Sequence, residues 1–372
     1  MNALGFITLG WAGLAGGFSA VALARLSRRA PAPAARVLPS VLLLRPVDAP
    51  TPQELENLAH AIDYAGPLEQ VVLSPYRPRL APGVRWLPSD PPAPNRKVGH
   101  LLYALGTLDT RGRVVLAVDA DVAVTGALVE GLAAPLVAGA ALSTAAPTPI
   151  GAVDAAGRAM AGLLRYTHHS FRALHAMSAG AQAVCGKALG LSAQAVEELR
   201  GLSDHIGEDL ELAKRLHTRG LEVALSAAPA WVPVAPETSW RTPLERFTRW
   251  MQVLASHRPG LYPTVPLLFT PTLPLVLLAL ALGEPVVGLA VGALIVVRTL
   301  LSLRLSALSA VPGEARRGHA LTDWLTGEAL LLAAFVASLT RQGTVTWRGH
   351  TYALLSGGRM VRVASQWSGG PG

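Results

Sequence analysis

Cysteine is nearly absent. Cys185 is the one thiol in 372 residues, so no intrachain disulfide can form and no cysteine zinc cluster is possible. Charge is scarce as well: 15% of residues are charged, where a soluble domain carries about 25%. The chain has no G-x-G-x-x-G segment, which argues against a dinucleotide fold, and no internal repeat. It has no basic stripe interleaved with aromatics, so nucleic acid is not an expected partner. The formal net charge is still +8, supplied mainly by arginine, and that balance suits anionic headgroups and phosphorylated substrates.

The charge deficit is local. Residues 40–257 read as a soluble α/β protein, while both ends carry long uncharged stretches. Ala3 to Leu23 holds 21 residues without a charge. At about 1.5 Å per residue it spans about 30 Å, the thickness of bilayer hydrocarbon. Arg25, Arg28, Arg29 and Arg36 follow, and the positive-inside rule then places this flank and the middle of the chain in the cytoplasm. Positive charge after the apolar run, rather than before it, argues against a cleaved signal peptide.

Leu261 to Val297 is a second apolar stretch with one charge, Glu284. Gly283-Glu284-Pro285 is a turn signal, so a hairpin of two crossings is expected. Pro263, Pro266, Pro271 and Pro274 interrupt its first half, which also suits an interfacial segment with one crossing after it. Ala329 to Leu339 is only 11 residues, behind Asp323 and Glu328, and reads as re-entrant or interfacial. Arginines in 298–320 and after Thr340 are expected in the cytoplasm. The expected layout is an anchor over 1–24, a cytoplasmic domain over 37–257, a membrane region over 258–340 and a tail over 341–372.

Within the middle domain, Val37 to Leu44 ends at Arg45-Pro46 and reads as a buried parallel strand. Thr51-Pro-Gln-Glu54 carries the signature of a capping box. Gln70 to Ser74 and Val114 to Val118 read as strands, and Lys97 to Leu108 as a helix. Strands alternating with helices predict an α/β fold with a doubly wound parallel sheet, whose ligands bind beyond the carboxyl ends of the strands.

Three places carry chemistry. The strand ending at Val118 runs straight into Asp119-Ala-Asp121, and two carboxylates two apart can converge on one hard cation, Mg²⁺ or Mn²⁺, bridging to phosphates. Gly207-Glu208-Asp209 opens a helix that ends at Arg219-Gly220; the acids suit the helix dipole, and Asp209 also suits a general base. Arg246, Arg249 and Trp250 share one helix face. Two guanidinium groups there suit a departing diphosphate, or snorkelling at the membrane interface. His168, His169 and His175 read as helix residues near the membrane surface rather than metal ligands, and His205, four before Asp209, is placed where it can touch an acceptor.

In this order the motifs resemble the inverting glycosyltransferases of the ceramide glucosyltransferase group, whose pattern is a series of spaced aspartates followed by (Q/R)-x-x-R-W. Asp119 matches the metal–nucleotide aspartate, Asp209 the base of the E-D motif, and Arg246, Arg249 and Trp250 the final motif. Leu44-Arg45-Pro46-Val47-Asp48 looks like the first-strand K-P-x-x-G-x-D region, and Asn95-Arg96-Lys97-Val98 like the N-P-K segment. Val184-Cys185-Gly186-Lys187 falls at the acceptor-side V-T-G-M segment, and Thr346 to Tyr352 looks like the C-terminal W-R-x-x-x-Y element. The resemblance covers about residues 37–360. It implies a GT-A catalytic domain, Rossmann-like, with a mostly parallel sheet and flanking helices, between N- and C-terminal transmembrane helices. It implies a UDP-sugar donor held by Arg45, Pro46, Lys97, Asp119, Arg246, Arg249 and Trp250, with a divalent cation on Asp119 and Asp121. Asp209 would deprotonate a membrane-lipid hydroxyl, with Gly186, Glu208 and His205 on the acceptor side. Glucose and ceramide are the expected pair; a hopanoid-type lipid, a small polysaccharide, or sugar-nucleotide binding without catalysis are the alternatives. One departure stands out: the family's aspartate after its second strand is absent from Val72-Leu73-Ser74-Pro75-Tyr76-Arg77.

Overall fold

A computed structural model of the chain describes residues 1–26, 38–165, 184–236, 239–308, 320–341, 343–347 and 350–363. His168, His169 and His175 lie outside the described residues, as do Arg28, Arg29, Arg36 and Arg348.

The strands of the middle domain are β1 (Val41–Pro46), β2 (Leu68–Ser74), β3 (Arg85–Pro88), β4 (Val114–Val118), β5 (Leu142–Thr144), β6 (Pro147–Ile150), β7 (Ala188–Leu191), β8 (Val223–Leu225) and β9 (Ala230–Pro233). The helices are α1 (Ala3–Leu26), α2 (Pro52–Ala59), α3 (Arg96–Thr107), α4 (Gly126–Val137), α5 (155–165), α6 (Ala193–Leu199), α7 (Glu208–Thr218), α8 (Arg241–His257), α9 (Thr272–Leu282), α10 (Pro285–Leu308) and α11 (Ala320–Leu339). A C-terminal sheet follows: β10 (Thr344–Trp347), β11 (His350–Leu354) and β12 (Met360–Arg362).

Seven strands form the central sheet in the order β3-β2-β1-β4-β7-β5-β8. The first four run parallel, β7 is antiparallel to both β4 and β5, and β5 and β8 are parallel. Sheet residues alternate between two cores. Leu42, Leu44, Val115 and Ala117 face α3, α6 and α7, while Val41, Leu43, Leu116 and Val118 face α4. Burial on both faces is why β1 and β4 read as continuous apolar runs. The capping box of α2 forms: Glu54 N–H donates to Thr51 Oγ1 at 3.3 Å, and Thr51 N–H donates to the Glu54 carboxylate at 2.7 Å. Gly220, with φ +69°, closes α7 as expected. The first strand begins later than expected, at Val41, and takes in Arg45 and Pro46.

At the membrane end, α1 and α10 pack in parallel. Met1's neighbour Asn2 donates its N–H to Glu284 at 3.3 Å, and Ala22 packs on Leu301 and Leu305 at the other end. Among the described residues three helices are long and apolar enough to cross a membrane, over Ala3–Arg25, Pro285–Ala307 and Thr322–Leu339.

The first arm of the hairpin expected over Leu261–Val297 is irregular: the proline-rich half makes a π-helical turn, Val265–Phe269, and then α9, whose 11 residues are too short to cross alone. Gly283, at φ +64°, turns the chain, and α10 packs back on α9 through Leu275, Ala279 and Leu282. This half leans on α1: the Trp11 indole donates to Leu267 O at 2.8 Å and Phe18 meets Phe269 edge-on. The third apolar segment is also longer than expected, because Asp323 and Glu328 are partnered inside α11 rather than ending it. Arg298, expected in a cytoplasmic loop, is buried within α10. Its guanidinium donates to Glu328 at 2.5 Å, to Thr272 Oγ1 at 3.0 Å and to Leu268 O at 2.6 Å, so one ion pair ties α9, α10 and α11 together.

α11 lies along the catalytic domain rather than apart from it. Leu331 and Ala334 pack on Phe247 and Met251 of α8, Ser338 bonds the Tyr262 hydroxyl at 2.6 Å, and a Cβ on Gly162 of α5 would collide with the Asp323 carbonyl.

Candidate active site

The site forms at the carboxyl end of β4, where the parallel half of the sheet meets the antiparallel strand β7. Asp119 leaves the sheet with its N–H bonded to Lys187 O at 2.9 Å. Arg45, at the end of β1, runs beneath the loop that follows. Its Nη2 donates to the carbonyls of Asp119 (3.1 Å), Ala120 (3.2 Å) and Val122 (2.8 Å), and Asn57 donates to Ala120 O at 3.1 Å. These bonds are what allow a charged residue to be fully buried at a strand end. Burial brings the Arg45 guanidinium down to about 10, against the pull of Asp121 and Asp119. Arg45 therefore supports the aspartate loop from below, and Pro46 beside it is buried in the strand, in register with Leu73.

Two lysines hold the acidic groups apart. Lys97, on the first turn of α3, pairs with Asp119 at 2.8 Å and Glu208 at 3.2 Å, and donates to Gly186 O at 2.5 Å. Burial alone would lower this ammonium; Asp119 and Glu208 overcome it and hold the group firmly charged. Lys187 pairs with Asp121, whose carboxyl is thereby held below the usual range against its burial, with help from Arg246. The other oxygen of Asp121, Oδ1, is buried and has no hydrogen-bond partner.

Asp209 faces this cluster from the start of α7. Its Oδ2 accepts the Gly186 N–H at 2.6 Å and its Oδ1 the Leu210 N–H at 2.9 Å. Burial first, and Glu208 second, push its carboxyl up to about 6; Lys97 and the two N–H groups pull the other way. Gly186 must be glycine-sized, since a Cβ there would lie 3.1 Å from Asp209 Oδ2 and 3.3 Å from Glu208 Oε1. Asn95 completes the frame, donating to Glu208 at 3.0 Å and to His205 O at 2.8 Å while capping α3. Cys185 is no nucleophile: burial and Asp209 push its thiol up to about 12.

α8 brings the third motif. Arg246 reaches Met160 Sδ at 3.5 Å and its charge acts on Asp121; Phe247 and Trp250 meet edge-on at 5.2 Å. Burial and the neighbouring Arg246 both disfavour charge on Arg249. Among the described residues no carboxylate lies in ion-pair contact with either arginine, and each guanidinium lies in the field of the other.

The structure thus gathers Lys97, Asp119, Asp121, Gly186, Glu208 and Asp209 into one bonded network, with Arg246 in electrostatic reach. His205 stands differently, next to Asp204 at 2.7 Å and bridged to Arg359 of the C-terminal sheet. Asn57 is a contributor that motif reading passed over, and Asn95 and Lys187 stood inside quoted motifs without a role; only the antiparallel pairing of β7 with β4 places Lys187 against Asp121. Near Ser74 the hydroxyl is spent on Tyr76 O (2.7 Å) and the Trp86 indole (3.1 Å). The adjacent strand ends bring up Asp48 and Asp90, which share Arg96 at 2.7 and 2.5 Å, and Asp48 also meets His100 at 2.9 Å.

This sheet topology, with an acidic pair at the end of β4 and a second acid facing it, defines a glycosyltransferase of the GT-A type. Residues 86–360, more than half of the chain, match the model of Glycosyl transferase family 21, and the chain belongs to that family. Among solved structures it is similar to the mannosyltransferase PcManGT from Pyrobaculum calidifontis in complex with GDP-Man and Mn²⁺, at 16% identity and a TM-score of 0.47 over 90% of this chain and 99% of that one. It is also similar to S. aureus TarS 1-349, at 11% identity and a TM-score of 0.33 over 86% and 98%. No curated protein matches.

Proposed function

We propose that this glycosyltransferase moves a sugar, glucose by first choice, from a UDP-sugar to the hydroxyl of a membrane lipid such as ceramide, with inversion at the anomeric carbon. The observation that carries the reading is the Asp209 carboxylate, half-buried, oriented by the Gly186 N–H and facing the Lys97–Asp119 pair. With its carboxyl near 6 it is ionised at neutral pH yet basic enough to take a proton. Asp209 accepts the proton of the acceptor hydroxyl as that oxygen bonds to the anomeric carbon. The bond from the anomeric carbon to the diphosphate oxygen breaks on the opposite face, and UDP leaves with the electron pair. Lys97, Lys187, Arg246 and Arg249 surround the region where that negative charge develops.

Asp119 and Asp121 fit a divalent cation of the Mg²⁺ or Mn²⁺ kind: both are hard oxygen donors, and Asp121 Oδ1 is a buried acceptor without a partner. Among the described residues no three or more His, Cys, Asp or Glu converge on one point, so phosphate oxygens of the donor would have to complete the coordination. When bound, such an ion neutralises diphosphate charge.

A lipid acceptor is supported by the chain path. α8, which carries Arg246, Arg249 and Trp250, passes within a few residues into the 261–271 segment that leans on α1. α1 and α10 are proposed crossings with the catalytic domain in the cytoplasm beside Arg25; because the two helices run parallel, the 258–283 segment that leads to Glu284 returns across the membrane beside them, and α11 lies along the interface under α8. The test is to incubate full-length protein in detergent with a panel of labelled UDP-sugars and total lipid extract. One labelled glycolipid from one UDP-sugar is expected. Label in a polymer, or in no product from any sugar, contradicts the reading.

A further inference from the structure

α7, like α8 and α9, starts without a side-chain cap, and Gly207 precedes it in the left-handed region, φ +70°. The backbone that leads into Asp209 is held by contacts from the far C-terminus. Ile206 N–H donates to Gly358 O at 2.8 Å, and Met360 N–H donates to Asp204 O at 2.7 Å. Arg359 reaches the Asp204 carboxylate at 2.9 Å, and His205 pairs with Arg359 as an antiparallel bridge. Residues 204–206 thus dock along the turn between β11 and β12.

His257, at the end of α8, clamps the same loop from behind. Its Nε2–H donates to Ile206 O at 2.6 Å. A Cβ on Gly207 would lie 2.7 Å from Val253 Cγ1 and 3.0 Å from His257 Nε2. A Cβ on Gly358, which sits at φ +78°, would collide with His257 and lie 2.5 Å from Ile206 O. Ile206 itself is buried among Val345, Tyr352 and Met360. The sheet hangs from α11: Gln252 of α8 donates to Arg341 O and, at 2.7 Å, to Thr344 O at the junction.

We infer that His257 and the Gly358 turn are positioning residues for Asp209, so that the sheet beyond the last membrane-side helix holds the base in line. The inference rests on Asp209 being the base. A small misplacement of a reacting group can cost about 10²-fold in rate. In full-length protein, His257→Leu removes the donor to Ile206 O, whereas His257→Gln returns an amide N–H at similar reach. His257→Leu is expected to lower kcat about 10²-fold with donor KM near wild type, and His257→Gln to recover most of it. Arg359→Ala, on the exposed rim of the same contact, is expected to lower kcat about threefold or more, again with donor KM held. Wild-type kcat in Arg359→Ala overturns the inference even if His257→Leu does not fold. So does a loss in which kcat and donor KM fail together and His257→Gln is no better than His257→Leu. Retained transfer in Asp209→Asn is a separate failure: it removes the base assignment and leaves the docking untouched.

Discussion

Two buried ion-pair centres in this molecule are built to opposite ends. Arg298 and Glu328 close on each other inside the membrane-side helices, with Thr272 and the Leu268 carbonyl taking further bonds. Lys97, Lys187, Asp119, Asp121, Glu208 and Asp209 also pair, but charge is left over: Asp209 is held near 6, and among the described residues no acid is in ion-pair contact with Arg246 or Arg249. A closed pair fixes helices. An open one leaves field to act on whatever binds.

The comparison can be broken by exchanging both partners in each centre. Lys97→Met should cut transfer by about 10³-fold, since it removes the cation shared by Asp119, Glu208 and Gly186 O, and Lys97→Met with Asp119→Leu should restore none of it. Rates with labelled donor read this directly. Glu328→Leu alone should destabilise by about 3–5 kcal/mol because it strands a buried guanidinium, and adding Arg298→Met should return most of that. Thermal unfolding in detergent measures both.

pH separates the centres more finely. Asp209 must be ionised to act, so kcat/KM should fall as pH drops through about 6. The same shift has a stability cost with a defined sign. A carboxyl raised in the folded state is destabilising where it is ionised, so the cost is absent below the unfolded value of about 4 and complete above about 6. Asp209→Asn should therefore melt higher than wild type at pH 8, with the gap closing as pH falls toward about 4. A smaller effect is expected from Gly186→Ala, where a Cβ 3.1 Å from Asp209 Oδ2 must displace the carboxylate by a few tenths of an ångström; a kcat loss of about tenfold with donor KM retained would register it.

What the sequence disclosed followed from local rules. Val114–Val118 is the strand β4 to the residue, because a strand buried on both faces is an uninterrupted apolar run. The α2 capping box and the Gly220 stop are contacts between near neighbours, and Asp119 and Asp209 stand at element ends marked by local signals. What stayed hidden depends on distant partners. Arg45 looked like the end of a strand, yet it belongs inside one because loop carbonyls from the next strand receive it. Arg298 looked like a cytoplasmic residue, yet Glu328 on another helix lets it sit within α10. The irregular first arm of the hairpin was hidden for the same reason: prolines that merely interrupt an apolar run on paper build a π-turn that docks on Trp11 and Phe18. Lys187 could not be seen as Asp121's partner until β7 was known to run against β4.

The most direct measurement is a paired one on Asp209→Asn: UDP-sugar affinity by calorimetry and sugar transfer to lipid by labelled product. Unchanged affinity with transfer reduced by about 10³-fold or more is the predicted result. Transfer at the wild-type rate by that variant would contradict the role given to the carboxylate.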